Sequence, residues 1–133
     1  SALKTLSEVK NSGRKIAILG DMLELGKHTV EAHKELGEVV KEKADVLIVV
    51  GHRAQAIKEG AIETGMENEK IFEFLDARSA GEFVKTYVAN GDVILVKGSQ
   101  GMRMERVVEA ILLDQENKSN LLVRQDKEWL AKN

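Results

Sequence analysis

The chain alternates between short continuous apolar runs and longer segments in which apolar residues recur every three or four positions. The continuous runs are rich in β-branched residues and end near glycine or aspartate, which is typical of strands buried on both faces. Four such strands are predicted, namely Lys15–Leu19, Asp45–Gly51, Ile71–Leu75 and Val93–Val96. A weaker run, Leu121–Arg124, is predicted as an additional edge strand near the C-terminus.

The periodic segments before and between the strands predict amphipathic helices, because residues three and four positions apart share one helix face. Thr29 and Asp76 are predicted N-cap residues, since their side-chain oxygens can accept from free backbone N–H groups of the first turn. The predicted buried faces are Leu3, Leu6 and Val9; Val30, His33, Leu36, Gly37 and Val40; Ala54, Ile57 and Ala61; Ala80, Phe83, Val84, Tyr87 and Val88; and Met104, Val107, Val108, Ile111 and Leu112.

Strands that alternate with helices at this spacing predict right-handed βαβ units. The predicted fold is therefore α/β: a Rossmann-like, doubly wound, mostly parallel sheet with strand order 3-2-1-4 and helices on both faces. In such sheets ligands bind beyond the carboxyl ends of the strands, at the point where the strand order reverses. Here that switch point lies between the first and fourth strands, which brings Gly20-Asp21-Met22 beside Lys97-Gly98-Ser99.

Length and composition indicate one ordinary domain over residues 1–133, with enough apolar surface for a single core. The 20 basic and 22 acidic residues are scattered and give a net charge of −2, so neither nucleic acid nor an anionic membrane surface is an expected partner. The chain has no cysteine, which excludes disulfides, thiolate zinc sites and cysteine nucleophiles. No apolar run reaches the roughly 20 residues that span a bilayer. We expect a cytoplasmic protein and a monomer.

One glycine-containing segment, Gly20–His28, follows a strand as a phosphate-binding P-loop does, but it departs from that motif. Five residues separate Gly20 from Gly26 where the P-loop has four, and His28 stands where a serine or threonine hydroxyl reaches Mg²⁺. No G-x-G-x-x-G fingerprint follows any strand either. This chain alone is therefore not expected to hydrolyse ATP.

Lys97 departs most from its surroundings, because a cation that ends an apolar strand needs a partner or access to solvent. The segment Asp92–Gly98 echoes Asp45–Gly51, except that Val50 stands in the place of Lys97. The lysine is thus an addition to a generic strand, available to a ligand or to an internal ion pair with Asp21. The carboxylate of Asp21 can accept from a ribose hydroxyl or a ligand ammonium, or it can cap the turn.

Three further residues near the switch point are candidates. Ser99 either caps the last helix or lies where helix N–H groups attract carboxylates and phosphates. Arg103, in the predicted first turn of that helix, either reaches an anionic ligand or is solvated. His33 lies on the inward face of its helix, where a histidine more often packs than catalyses. No third ligand is spaced to complete a metal site with His28 and His52.

Three stretches of the chain resemble the C-terminal domain of the Mur ligase family: Arg14–Gly26 (RKIAILGDMLELG), Glu31–Gly37 (EAHKELG) and Val96–Glu105 (VKGSQGMRME). Gln100 departs from the family, which has a basic residue at that place. The resemblance implies the last domain of a three-domain, ATP-dependent amide ligase of peptidoglycan synthesis. Such an enzyme adds D-alanyl-D-alanine to UDP-N-acetylmuramoyl-tripeptide through an acyl phosphate. ATP and Mg²⁺ would be bound mainly by the central domain, so the isolated C-terminal domain is expected to be inactive.

The same resemblance implies roles for individual residues. Asp21 and Met22 would line the cleft near the nucleotide or the incoming amine. Lys97, Gly98 and Ser99 would meet the dipeptide carboxylate or the phosphates. The predicted substrate- or nucleotide-binding residues are thus Asp21, Met22, Lys97, Gly98, Ser99, Gln100 and Arg103, with His33 supporting them from behind and with no catalytic or metal-binding residue in this domain alone.

Three other interpretations stay open at this stage. A folylpolyglutamate synthase has a C-terminal domain of the same fold, although the three quoted stretches argue against it. A receiver-type signalling domain also has an aspartate after its first strand and a lysine after its last. It requires an acidic pair where Gly20 precedes Asp21, and a phosphoacceptor aspartate where Leu75 ends the third strand. A free-standing nucleotide- or small-ligand-binding module without catalysis would bind nucleotide tightly by itself.

Overall fold

The computed structural model describes residues 2–22, 29–98, 103–113 and 120–125 of the chain. Strands and helices alternate along these ranges, as the periodicity predicts. The strands are β1 (Lys15–Gly20), β2 (Val46–Val50), β3 (Ile71–Phe74), β4 (Val93–Gly98) and β5 (Asn120–Gln125). The helices are α1 (Ala2–Glu8), α2 (Thr29–Lys43), α3 (Gln55–Glu63), α4 (Ala77–Tyr87) and α5 (Glu105–Leu113), with a short 3₁₀ turn at Asn68–Lys70 before β3.

The strands form one parallel sheet in the order β3-β2-β1-β4-β5. β1 lies at its centre, where Ile16 is level with Val46 of β2 and with Ile94 of β4. The predicted order 3-2-1-4 is confirmed, and the additional edge strand is β5, which runs parallel to β4. Because β1 and β4 are parallel neighbours, their carboxyl ends meet at the switch point.

The sheet has two apolar faces, because successive side chains of a strand point to opposite sides. One face packs against α1, α2 and α3 through side chains that include Ala17, Leu19, Leu47, Val49 and Leu95. The other packs against α4 and α5 through side chains that include Ile16, Ile18, Ile48, Ile94 and Val96. Burial on both faces explains why the strand sequences are continuous apolar runs instead of alternating ones.

The helix faces follow the predicted periodicity with two exceptions. Val30 and Leu112 are 66% and 62% exposed, so their predicted burial is wrong. Both lie within one turn of a helix end, and periodicity fixes the direction of a side chain but not whether a neighbour covers that turn. Asp76 caps α4 as predicted: its Oδ1 accepts from the Ser79 N–H at 2.7 Å, and this hydrogen bond lowers the pKa of Asp76.

The last helix begins later than predicted. α5 starts at Glu105, so the prediction that Arg103 lies in its first turn is wrong. Arg103 has a backbone φ of 55°, in the left-handed region, which a right-handed helix cannot contain. The chain therefore turns at Arg103 before the helix starts, and the next residue, Met104, is buried.

At the amino edge of the sheet, the starts of β1 and β4 are joined by a network that we call the amino-edge latch (Arg14, Tyr87, Ala89 and Asp92). Asp92 accepts from the backbone N–H of Arg14 at 2.8 Å, from Arg14 Nη2 at 2.7 Å and from the Ala89 N–H at 2.9 Å. The Arg14 guanidinium also lies 4.3 Å from the centre of the Tyr87 ring. Burial alone would raise the pKa of Asp92, but the hydrogen bonds from Arg14 and Ala89 hold it below its usual value.

The two similar segments, Asp45–Gly51 and Asp92–Gly98, pair with β1 in registers that differ by one residue. Asp45 of the β2 segment accepts from the Lys15 N–H, whereas Asp92 of the β4 segment accepts from the Arg14 N–H. Lys97 is consequently level with Leu19, which is itself level with Val49 and not with Val50. A shift of one residue exchanges the two faces of a strand, so the predicted equivalence of Val50 and Lys97 is wrong.

Candidate functional site

The switch point is a close contact between two glycines. A Cβ placed on Gly98 would lie 3.3 Å from the Cα of Gly20 and 2.8 Å from the Cγ of Met104. A Cβ on Gly20 would lie 2.9 Å from the Met104 sulfur. Glycine at both positions therefore lets the ends of β1 and β4 approach each other while the Met104 side chain packs over them.

Asp21 lies directly beyond β1 and forms hydrogen bonds with the end of β2 and the start of α3. Its backbone N–H donates to the Val50 carbonyl at 3.2 Å, and its Oδ1 accepts from the Ala54 N–H, at the start of α3, at 2.6 Å. The side chain is 4% exposed. Asp21 thus engages α3, and the ion pair with Lys97 that the sequence left open does not form.

Met22 and His33 fix the segment that follows Asp21. The Met22 N–H donates to Nε2 of His33 at 3.0 Å, and the His33 side chain is fully buried. Because Nε2 accepts this hydrogen bond, it carries no proton in this arrangement. Met22 as a whole is only 5% exposed, so it is buried at the switch point.

Lys97 presents a cation on β4, level with Leu19 near the end of β1. It points to the same face as Leu95, the face covered by α1 and α2, and it is partly exposed. No carboxylate within the described ranges forms an ion pair with it. Lys97 is therefore available to an anionic group that arrives from outside the described part of the chain.

Beside Lys97 lies an apolar cavity, which we call the α1–α2 pocket. It has a volume of about 160 Å³ and is lined by Ala2, Leu3, Leu19, Leu36, Val39 and Lys97. The sequence pattern did not predict this pocket, because Val39 is not on the predicted buried face of α2. The signal was present in the i, i+3 spacing of Leu36 and Val39, which extends the apolar surface of α2 toward α1.

Two predicted site residues, Ser99 and Gln100, lie outside the described residues. Arg103 is exposed near the switch point.

Within the described ranges, no group of three or more His, Cys, Asp or Glu residues is arranged to hold a metal ion. In the same ranges no helix is both long and apolar enough to cross a membrane.

The strand order separates this fold from one rival interpretation. Receiver-type domains have the flavodoxin-like order 2-1-3-4-5, in which the third strand is central. Here β3 is an edge strand, and the order β3-β2-β1-β4-β5 is that of a Rossmann-like sheet. The receiver interpretation is therefore wrong on topology.

Comparisons with known proteins agree with the geometry. A UDP-N-acetylmuramoyl-tripeptide--D-alanyl-D-alanine ligase of Bacillus subtilis (strain 168) is 32% identical over 113 residues, which are 84% of this chain and 24% of that protein. The ligase of the same name from Escherichia coli (strain K12) is 32% identical over 114 residues, which are 84% of this chain and 23% of that protein. The chain therefore spans about a quarter of the length of these curated relatives.

A solved structure also matches. Crystal structure II of MurF from Acinetobacter baumannii superposes with a TM-score of 0.66 at 27% identity, covering 87% of this chain and 25% of that chain. The family model described as "Mur ligase, glutamate ligase domain" matches residues 1–100. These matches confirm the resemblance seen in the three sequence stretches, and the chain belongs to the Mur ligase family, within which it is similar to the C-terminal domain of MurF.

Proposed function

We propose that this chain is the acceptor-binding domain of a longer, cytoplasmic, ATP-dependent ligase that joins D-alanyl-D-alanine to UDP-N-acetylmuramoyl-tripeptide. The observation that carries the proposal is Lys97: a partly exposed cation, without a carboxylate partner among the described residues, at the switch point of a Mur ligase domain. The relatives that bear this activity by name support the choice of substrates.

The reaction has two steps in which negative charge moves between oxygens. The tripeptide carboxylate first takes the γ-phosphoryl group of ATP, which gives an acyl phosphate and ADP. The dipeptide amine, after loss of a proton, then attacks the acyl carbon, an amide bond forms, and inorganic phosphate leaves. Positioned cations and N–H donors accelerate such steps because they stabilise the charge that develops on the oxygens.

Lys97 would hold an anionic group of the substrates in this scheme, either the dipeptide carboxylate or a phosphate. Asp21 follows the end of β1 on the side of β2 and α3, and one of its carboxylate oxygens has no partner among the described residues. That oxygen would accept from the incoming ammonium or from a ribose hydroxyl. Ser99, Gln100 and Arg103 remain proposed contributors to the same cleft, and His33 would keep the Met22 backbone in place behind it.

We propose that the described residues contribute only part of a nucleotide-binding site. They contain no cluster of acidic side chains suited to Mg²⁺. The remainder of the longer protein would therefore hold ATP and Mg²⁺. The positive charge of Mg²⁺ would neutralise the transferred phosphoryl group. We propose that this domain closes over that site and excludes water from the acyl phosphate.

The test is an assay of the full-length protein with ATP, Mg²⁺, UDP-N-acetylmuramoyl-tripeptide and D-alanyl-D-alanine. We expect release of ADP and phosphate that depends on both the tripeptide and the dipeptide, with formation of the pentapeptide product. Glutamate with a folate serves as the comparison, because these two are the substrate pair of the rival ligase class. Turnover with the folate pair and none with the dipeptide would contradict the proposal.

A further inference from the structure

The α1–α2 pocket combines an apolar interior with a single cation. Of the described residues that line it, five are apolar and the sixth is Lys97. A single water needs roughly 10–15 Å³ of such space, so a volume of about 160 Å³ has room for a group of several non-hydrogen atoms. Apolar walls offer water few hydrogen-bond partners, and displacing that water into bulk favours an apolar occupant.

The charge of Lys97 narrows the choice of occupant. Its ammonium has no carboxylate partner among the described residues, and Lys97 is itself one of the residues that line the pocket. A ligand that complements both features has a negative group next to a compact apolar group. The C-terminal residue of a short peptide with an apolar side chain has this arrangement, because its carboxylate and its side chain leave the same carbon.

A larger groove offers no such match. It has a volume of about 200 Å³ and lies between α4 and α5, on the other face of the sheet. Arg78, Glu82, Lys85, Arg106 and Glu109 line most of it, so charges of both signs are already close to one another. Such charges can neutralise one another, and nothing in the described lining selects one ligand.

We propose that the α1–α2 pocket receives the side chain of the acceptor's C-terminal residue while Lys97 binds that residue's carboxylate, so that Leu36 and Val39 determine which acceptors are used. This inference rests on the proposed ligase function and adds a specificity site to it. A pocket of this size accepts small apolar side chains, and Leu36 and Val39 are the α2 residues among its described lining.

Val39 offers the cleanest test, because it is 43% exposed and can be changed with little effect on the core. The full-length enzyme is assayed with D-alanyl-D-alanine and with dipeptides whose last residue is D-2-aminobutyrate or D-norvaline. Val39→Phe narrows the pocket and should raise KM for D-alanyl-D-alanine about 10-fold, without changing KM for ATP or the tripeptide. Val39→Ala widens it and should shift kcat/KM about 5-fold toward the dipeptides with the larger last residue.

Ile62→Phe is the matched control, since Ile62 is 42% exposed but lies on α3, outside the pocket lining. It should leave all three KM values within 2-fold of wild type. The pocket assignment is overturned if Val39→Phe changes the dipeptide KM no more than Ile62→Phe does, while Lys97→Met still raises it. That result would leave the ligase function intact. Absence of dipeptide-dependent turnover in the wild-type enzyme would instead overturn both the function and the pocket assignment.

Discussion

The two ends of the sheet use their buried aspartates in different ways. At the amino edge, Asp92 accepts four hydrogen bonds, three from Arg14 and one from Ala89, and it pairs with the Arg14 charge. At the carboxyl edge, Asp21 is buried almost as deeply but accepts a single hydrogen bond, from Ala54, within the described part of the chain. Lys97 lies near Asp21 in the fold, and the two do not pair.

This difference separates folding from function within one sheet. The amino-edge latch meets its own hydrogen-bonding needs and leaves little for a ligand. Among the described residues, the carboxyl edge keeps one Asp21 carboxylate oxygen without a hydrogen-bond donor and the Lys97 cation without an ion pair. Polar groups that a fold leaves unsatisfied at a switch point are the groups a ligand can satisfy.

The largest expected effect on the free energy of unfolding comes from placing a second cation at the carboxyl edge of the sheet. Val49 is fully buried and lies two strands from Lys97, at the same level and on the same face. Val49→Lys should lower the free energy of unfolding by about 4 kcal/mol or more, because the new charge replaces an apolar side chain at a position without access to solvent. Urea unfolding of the chain measures this. A loss below about 1 kcal/mol would mean that the carboxyl edge tolerates cations generally and that Lys97 is not special.

Breaking the amino-edge latch should lower the free energy of unfolding nearly as much as Val49→Lys does. Asp92→Ala leaves the Arg14 and Ala89 N–H groups without their acceptor, and we expect a loss of about 2–3 kcal/mol in urea unfolding. Asp45→Ala is the matched control, since Asp45 accepts the corresponding Lys15 N–H at an exposed position and should lose about 1 kcal/mol or less. Equal losses for the two variants would contradict the contrast between a buried and an exposed acceptor.

Asp21 allows its folding role and its ligand role to be separated. Asp21→Ala leaves the buried Ala54 N–H unpaired and should lower the free energy of unfolding by about 1–3 kcal/mol. Asp21→Asn keeps an oxygen acceptor and should recover most of that loss, measured by the same urea unfolding. If the carboxylate charge serves a substrate, Asp21→Asn will fold normally while the full-length enzyme loses kcat/KM. A fully active Asp21→Asn enzyme would restrict Asp21 to folding.

The latch also predicts an acid dependence with a definite sign. The pKa of Asp92 is held below its usual value of about 3.9 in the folded chain. Its stabilising contribution is therefore present above about pH 4 and is lost as the pH falls through the folded pKa, at no more than about 1.4 kcal/mol per pH unit. Urea midpoints between pH 5 and pH 2 should fall less steeply for Asp92→Asn than for wild type. Identical slopes would remove this role for the Asp92 charge.

Sequence patterns predicted the sheet better than the site. Continuous apolar runs with short connections permitted few topologies, so the order of β1 to β4 could be predicted before any contact was known. The register of β4 could not be predicted. The similarity between Asp45–Gly51 and Asp92–Gly98 does not show which backbone N–H donates to each aspartate. The turn at Arg103 and the packing of Met104 over Gly20 also depend on a backbone conformation that helical spacing does not encode.

The most direct test of the central claim is the kinetic effect of Lys97→Met, which removes the charge and keeps a flexible apolar stem. In the full-length enzyme we expect kcat/KM for the dipeptide to fall about 10- to 100-fold, as for a lost charge-assisted hydrogen bond of about 1.5–3 kcal/mol. Urea unfolding of the chain should change by less than about 0.5 kcal/mol. Wild-type kcat/KM together with a marked loss of stability would show that Lys97 serves the fold and would contradict the account.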